Sequence, residues 1–251
     1  MTSRKSPGMN RRQALFSIGT AAAATGLATT GRAAELHGFP HETAMSADHL
    51  PVPAHRGGSF RILTDETDRA TLKAAFDRLI PADDQGPSAS EAGCLEFLDD
   101  QLSRPYGEGA ALYLDGPMNR EREAAIMGAA QVFATPRDRY AAGLPALEAY
   151  AQATDGAAFA ALSPDRIDEI LTGLEAGEID LGDDVDGQAF FELMLQNARE
   201  GYLADPLYGG NRDMAGWKMI GFPGARYDFR PYIDKRGEEL NLTPVSLIPN
   251  D

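Results

Sequence analysis

Two residue types that often carry chemistry are scarce in this 251-residue sequence, which has one cysteine and four histidines. A single cysteine, Cys94, excludes an internal disulfide bond. It lies between apolar neighbours in "EAGCLEFLDDQL", which predicts a buried thiol rather than a reactive one. All four histidines precede residue 60, so the rest of the chain lacks the base that a Ser–His–acid hydrolase needs.

The four histidines (His37, His41, His49 and His55) do not form a recognisable metal motif. A glycine and a proline between His37 and His41 prevent these two from sharing a helix face, and no cysteine or carboxylate spacing completes a closed site. The acidic stretch before Gly187 fails as a calcium loop, because it places glycine and leucine at ligand positions. No segment matches a dinucleotide fingerprint or a phosphate loop. We expect neither a metal nor a cofactor in this chain.

Positive charge is also scarce, with 23 basic residues against 38 acidic ones. Residues 1–34 contain five of the basic residues and no acidic residue, so the chain without them has a net charge of −20. A surface this acidic repels nucleic acid and anionic lipid. We therefore expect neither as a direct partner.

No apolar run is long enough to cross a membrane. The longest, Ala14–Ala28, is rich in alanine, glycine and threonine and is too short for about 30 Å of hydrocarbon. It follows Arg11 and Arg12 and precedes small residues at 31–34, which is the order of a cleavable twin-arginine export signal. The sequence thus predicts a signal over 1–34, a periplasmic location and no membrane span after cleavage.

The remaining chain divides into an extended arm and one helical domain. Residues 35–59 are rich in proline, glycine and histidine and lack periodicity. From residue 60 onward, helix caps alternate with amphipathic runs: Thr64 and Ser90 mark the first two starts, and Thr135–Pro136 and Ser163–Pro164 mark two later ones. No segment alternates as a strand, so we predict a mostly α fold, an irregular helical bundle over 60–251. The predicted core stripes are Leu72, Ala75, Phe76 and Leu79; Cys94, Leu95, Leu98 and Leu102; Tyr140, Leu144, Leu147 and Ala151; Ile167, Ile170, Leu171 and Leu174; and Phe190, Phe191, Met194 and Leu195.

Residues 201–224, "GYLADPLYGGNRDMAGWKMIGFPG", have a different character, and we call them the signature segment. They contain six glycines and the only tryptophan, with the period of neither a helix nor a strand. This predicts a long ordered loop, and its composition suits a protein interface or an ordered loop packed on its own bundle. Composition leaves both open. The candidate partner-contact residues are Tyr202, Asp205, Pro206, Tyr208, Gly209, Gly210, Asn211, Trp217, Phe222 and Pro223.

The signature segment resembles that of the gluconate 2-dehydrogenase subunit 3 family, the small (gamma) subunits of membrane-associated flavin dehydrogenases. "LIPADDQGPSASEAGCLEFLDDQL" (79–102) resembles the family's early helical segment, and "SPDRIDEILTGLEAGE" (163–178) fits its middle. The resemblance covers roughly residues 60–235 and includes the twin-arginine signal.

The resemblance implies a helical, non-catalytic subunit bound to a large FAD-containing flavoprotein of the glucose-methanol-choline type, acting on a sugar or polyol. In this family a cytochrome c subunit often completes the complex and passes electrons to the membrane. The small subunit is thought to help the flavoprotein mature and to carry it through the export channel. FAD is therefore expected in the partner and not in this chain.

The export signal supports the same expectation independently. The twin-arginine route exports proteins already folded, commonly because a cofactor was inserted in the cytoplasm. A chain with that signal and no cofactor motif is expected to carry a partner that has one. Two alternatives remain: an independent periplasmic binding module with a pocket in the bundle, and an enzyme in its own right, which the missing base and cofactor motifs disfavour.

Overall fold

A computed structural model describes residues 59–110, 134–226 and 228–247. The predicted export signal, with Arg11 and Arg12, and nearly all of the predicted arm lie outside the described residues. The α-helices of the described ranges are α1 (Glu66–Leu79), α2 (Cys94–Leu102), α3 (Pro136–Asp155), α4 (Pro164–Glu175), α5 (Gly187–Leu203) and α6 (Ala215–Ile220). Short 3-10 turns cover Phe159–Ala161, Pro206–Tyr208, Arg212–Met214 and Arg230–Tyr232. The mostly α prediction is confirmed, since these same ranges contain no strand.

Two helices begin where their capping residues predict. Thr135 accepts a hydrogen bond from the Asp138 backbone N–H at the start of α3, and the Asp138 carboxylate accepts one from the Thr135 N–H in return. Ser163 accepts from the Arg166 N–H at the start of α4. A proline occupies the first position of both helices, where no intrahelical N–H bond is lost.

The first two helices begin later than predicted. The cap of α1 is Asp65 and not Thr64, because the Asp65 carboxylate accepts from the N–H groups of Thr67 (2.8 Å) and Asp68 (3.0 Å). α2 begins at Cys94 and not at Ser90. The preceding Gly93 has a φ of +86° and is the last residue of a turn over residues 89–93 that comes before the helix.

The core lies around α1 and α5, each of which packs against several other helices. The predicted stripes are buried, apart from Leu79 and Leu195, which are half-buried at the margin. On α3 and α5, Tyr140 and Phe190 meet edge to face, with ring centroids 5.6 Å apart. Gly143 makes this approach possible, since a Cβ there would lie 2.6 Å from the Phe190 ring. None of the helices in the described ranges has the length and apolarity needed to cross a bilayer.

A buried carboxylate fixes the start of the domain on the bundle. Asp99 of α2 accepts hydrogen bonds from three consecutive backbone N–H groups, those of Arg61 (2.8 Å), Ile62 (2.9 Å) and Leu63 (2.8 Å). Three charge-assisted bonds satisfy a carboxylate that is only 5% exposed. The chain therefore enters the bundle at one defined place.

Candidate functional site

The signature segment is ordered, as predicted, and it contains more helix than its composition indicates. Residues 201–203 are the last turn of α5, and residues 215–220 form α6. Gly209, Gly221 and Gly224 all have positive φ angles and mark the places where the chain turns. Because these turns interrupt any period, the sequence pattern hides the short helix.

Two other glycines let the segment pack directly against the end of α5. A Cβ on Gly210 would lie 2.1 Å from the Gly201 carbonyl oxygen, and one on Gly216 would lie 2.1 Å from the Tyr202 carbonyl oxygen. No real side chain fits at such distances. The segment and α5 are thus in backbone-to-backbone contact.

Asn211 holds the fold of the segment with both atoms of its side-chain amide. Its Nδ2 donates to the Ala204 carbonyl (2.8 Å), and its Oδ1 accepts from the Gly216 N–H (2.8 Å). Asn211 is fully buried and has a φ of +47°. Asp213 and Met214 also have positive φ (both +55°), so three non-glycine residues in a row of four adopt a conformation that costs energy.

The segment also binds the region before and within α2. The Arg212 N–H donates to the Ala92 carbonyl (3.0 Å), and the Arg212 guanidinium pairs with Glu96 (2.7 Å). The Tyr202 hydroxyl donates to the Pro87 carbonyl (2.8 Å). The segment therefore packs against residues 87–96 on one side and against α5 on another.

A second buried carboxylate binds the C-terminal tail, residues 240–247, to the segment. Asp205 accepts from the Leu207 N–H (2.9 Å) within its own turn. It also accepts from the Ser246 hydroxyl (2.8 Å) and the Leu247 N–H (3.0 Å) of the tail. An isolated parallel bridge between Gly224 and Val245 strengthens the same contact.

Burial divides the ten predicted partner-contact residues into two groups. Two are exposed, Tyr208 (46%) and Phe222 (43%), and Pro223 is half-buried. The other seven are buried in this chain: Tyr202, Asp205, Pro206, Gly209, Gly210, Asn211 and Trp217. These seven shape the segment from within, while the exposed pair can touch another molecule directly. Contact with a partner stays a prediction.

Sequence reasoning missed most of the exposed apolar surface beside them. In the described ranges, every exposed large hydrophobic side chain lies between residues 203 and 247. The members not predicted are Leu203, Met219, Ile220, Phe229, Ile233, Val245 and Leu247. The apolar pair Met219–Ile220, next to Lys218, was the available signal. Apolar surface concentrated in one part of a protein is typical of an interaction site.

Two neighbouring clefts open in this surface. The first, about 500 Å3, lies between the rings of Trp217, Phe222 and Phe229 and the tail residues Leu240 and Leu242. The second, about 690 Å3, is lined by Phe97 and Gln101 of α2, by Arg199, Glu200 and Leu203 of α5, and by Ala204 and Tyr208.

Trp217 connects the two clefts. Its Nε1–H donates to the carbonyl of Leu203 (2.7 Å), a residue of the second cleft, while its ring lines the first. The ring also meets Phe222 edge to face, with centroids 5.2 Å apart. Rigid aromatic walls of this kind accept apolar side chains of a protein partner or a small molecule.

The described residues contain no cluster of three or more histidine, cysteine or acidic residues that could hold a metal. Cys94 is fully buried, as predicted, and burial raises the pKa of its thiol to about 12. A thiol with this pKa does not supply a nucleophilic thiolate near neutral pH. The expectation that FAD belongs to a partner stays a prediction.

The family model described as gluconate 2-dehydrogenase subunit 3 matches residues 66–224. This range runs from the first residue of α1 to the last residue of the signature segment. No curated protein and no solved structure matches the chain.

Proposed function

Because this chain belongs to the gluconate 2-dehydrogenase subunit 3 family, we propose that it is the non-catalytic small subunit of a periplasmic flavin-dependent dehydrogenase complex. The family supports a place in a dehydrogenase complex. The finer proposal adds an FAD-containing catalytic subunit of the glucose-methanol-choline type that oxidises a sugar or polyol. It also includes a cytochrome c subunit as the route for electrons to the membrane.

The observation that carries the proposal is the family match over residues 66–224, and the exposed apolar surface at residues 203–247 supports it. A small subunit of this kind needs a preformed surface for a large protein partner. The buried bonds of Asn211, Asp205 and Trp217 hold that surface in shape before any partner arrives. Such preorganisation reduces the entropy lost on association.

The second part of the proposal is that this chain escorts the catalytic subunit through the twin-arginine route. The support is the Arg11–Arg12 pair in a sequence that has no recognisable cofactor-binding motif. A flavoprotein that folds around FAD in the cytoplasm can leave folded if it is bound to a subunit that has the signal.

Replacing Arg11 and Arg12 with lysine tests the escort directly. In cells that make this chain together with a flavin dehydrogenase subunit of the glucose-methanol-choline type that has no export signal of its own, we expect both proteins and the FAD-dependent dye reduction to accumulate in the cytoplasm. Arg4→Lys is the matched control, because it changes a basic residue outside the pair and should leave export intact. Wild-type activity in the periplasm of the double variant would overturn the escort.

A further inference from the structure

We propose that residues 199–226 and 228–247 form the docking face for the catalytic subunit, whose matching face is apolar at its centre and acidic at its rim. This inference rests on the proposed function, since it assigns a surface and a chemistry to the same partner. Three independent distributions along the chain support it: exposed apolar side chains, unpaired cations and net charge.

The exposed apolar side chains lie within these residues. In the rest of the part that the structure describes, residues 59–110 and 134–198, no large hydrophobic side chain is exposed. The most exposed members of the face are Ile233 (63%) and Ile220 (55%). Exposed large apolar side chains that are concentrated in one part of the described chain are typical of an interaction site.

The unpaired cations have the same distribution. Each of the eight basic side chains in residues 59–110 and 134–198 makes an ion pair or a hydrogen bond within the chain. Four basic side chains of the face form neither an ion pair nor a hydrogen bond with the described part of the chain: Arg199, Lys218, Lys235 and Arg236. Arg199 borders the second cleft and Lys218 the first. A partner carboxylate can pair with them without breaking an internal ion pair.

Net charge separates the face from the bundle. Residues 59–110 and 134–198 contain 8 basic and 24 acidic residues, whereas residues 199–247 contain 7 of each. A partner with an acidic rim is repelled by the bundle and accepted by the face, so the charge pattern sets its orientation. A membrane suits the face less well, because a surface with zero net charge beside an acidic bundle has no net attraction to anionic lipid.

Two double variants test the face, each at exposed side chains. Ile220→Ser with Ile233→Ser removes apolar contact, and Lys218→Glu with Lys235→Glu reverses two rim charges. The matched control, Ala153→Glu with Thr172→Glu, adds two negative charges at exposed positions of α3 and α4. The measurement is the Kd between the purified mature chain and a flavin dehydrogenase subunit of the glucose-methanol-choline type from the same organism that has no export signal of its own. Circular dichroism and thermal melting of each variant check that the fold is unchanged.

We expect the serine variant to weaken binding about 30-fold or more. The glutamate variant should weaken it about tenfold or more, since it sets like charges against each other. The control should bind as the wild type does. If the wild type binds and both face variants bind equally well, the docking face lies elsewhere, while the proposed function stands.

Three other results would overturn the inference in different ways. If the wild-type chain does not bind the flavoprotein, the proposed function fails and this inference fails with it. If the variants keep their Kd but the complex no longer binds phosphatidylglycerol–phosphatidylethanolamine vesicles, the face meets a membrane. If the isolated wild-type chain sediments as a dimer that the serine variant dissociates, with Kd unchanged, the face meets a second copy.

Discussion

Asn211 has a strained backbone and makes two buried hydrogen bonds. Comparing its replacement with that of an exposed asparagine of similar φ separates these two contributions to stability. We expect Asn211→Ala to lower the free energy of unfolding by about 2–4 kcal/mol, from a buried donor and acceptor left unpaired and from the poor tolerance of alanine for positive φ. Asn241 is the matched control: its φ is +46°, and it is exposed. Asn241→Ala should cost only the backbone part, about 1 kcal/mol. Equal losses in urea unfolding would contradict the role of the side-chain amide.

Because burial raises the pKa of the Cys94 thiol, we expect the protein to lose stability at high pH. Below the ordinary thiol pKa of 9.0 the group is protonated in both the folded and unfolded states. Between pH 9 and about 12 the unfolded chain loses a proton that the folded chain retains, so the free energy of unfolding falls as pH rises. Burial also raises the pKa of Tyr140, which adds a loss of the same sign above pH 10.

Two measurements check this behaviour of the thiol. A thiol reagent at pH 8 should not label the native chain and should label one thiol in urea. Cys94→Ala should show no labelling and a shallower fall of stability from pH 9 upward. Rapid labelling of the native chain would show that Cys94 is accessible.

In α6, adding a Cβ at Gly216 would raise helix propensity but worsen packing. Gly216→Ala gains up to about 1 kcal/mol of helix propensity but forces a Cβ against the Tyr202 carbonyl oxygen. Overpacking against backbone typically costs about 1–3 kcal/mol, so we expect a net loss of stability. Gly173→Ala in α4 is the matched control, because its Cβ meets only the flexible end of Ile179 (2.8 Å). Urea unfolding should show Gly173→Ala equal to the wild type or slightly more stable; a gain for Gly216→Ala would refute the close contact.

The sequence alone located the starts of the two helices whose capping signals lie within one turn. Thr135–Pro136 and Ser163–Pro164 place two starts correctly, because cap and proline act within one turn. The start of α1 was wrong by one residue, since threonine and aspartate both cap helices and only hydrogen-bond geometry distinguishes Thr64 from Asp65.

The interior of the signature segment could not be read in the same way. The burial of Tyr202 and Asn211 depends on contacts with Pro87 and Ala204, which no periodicity encodes. The exposure of Ile220 and Ile233 likewise depends on the tertiary fold and not on a local pattern. Composition indicates that the segment packs against something, and tertiary structure decides which side chains pack inward.

For the whole molecule, the proposal that the catalytic subunit holds FAD predicts that this chain by itself binds no flavin and has no dehydrogenase activity. We expect the purified mature chain to show no flavin absorbance and no dye reduction with glucose, gluconate or a polyol, because the proposal places FAD in the catalytic subunit. The co-purified complex is the control and should show both. A yellow chromophore bound to the isolated chain would refute the accessory role, and calorimetric binding of a sugar to it would favour the independent binding module.

Trp217, the only tryptophan in the chain, gives the proposed docking face an intrinsic optical probe. Its indole is 5% exposed and lies at the junction of the two clefts, so the tryptophan emission of the isolated chain comes from one known point. Oxidised flavin absorbs light at wavelengths where indole emits. The approach of a flavoprotein to this point can therefore be followed as quenching of a native signal, in real time and without a chemical label.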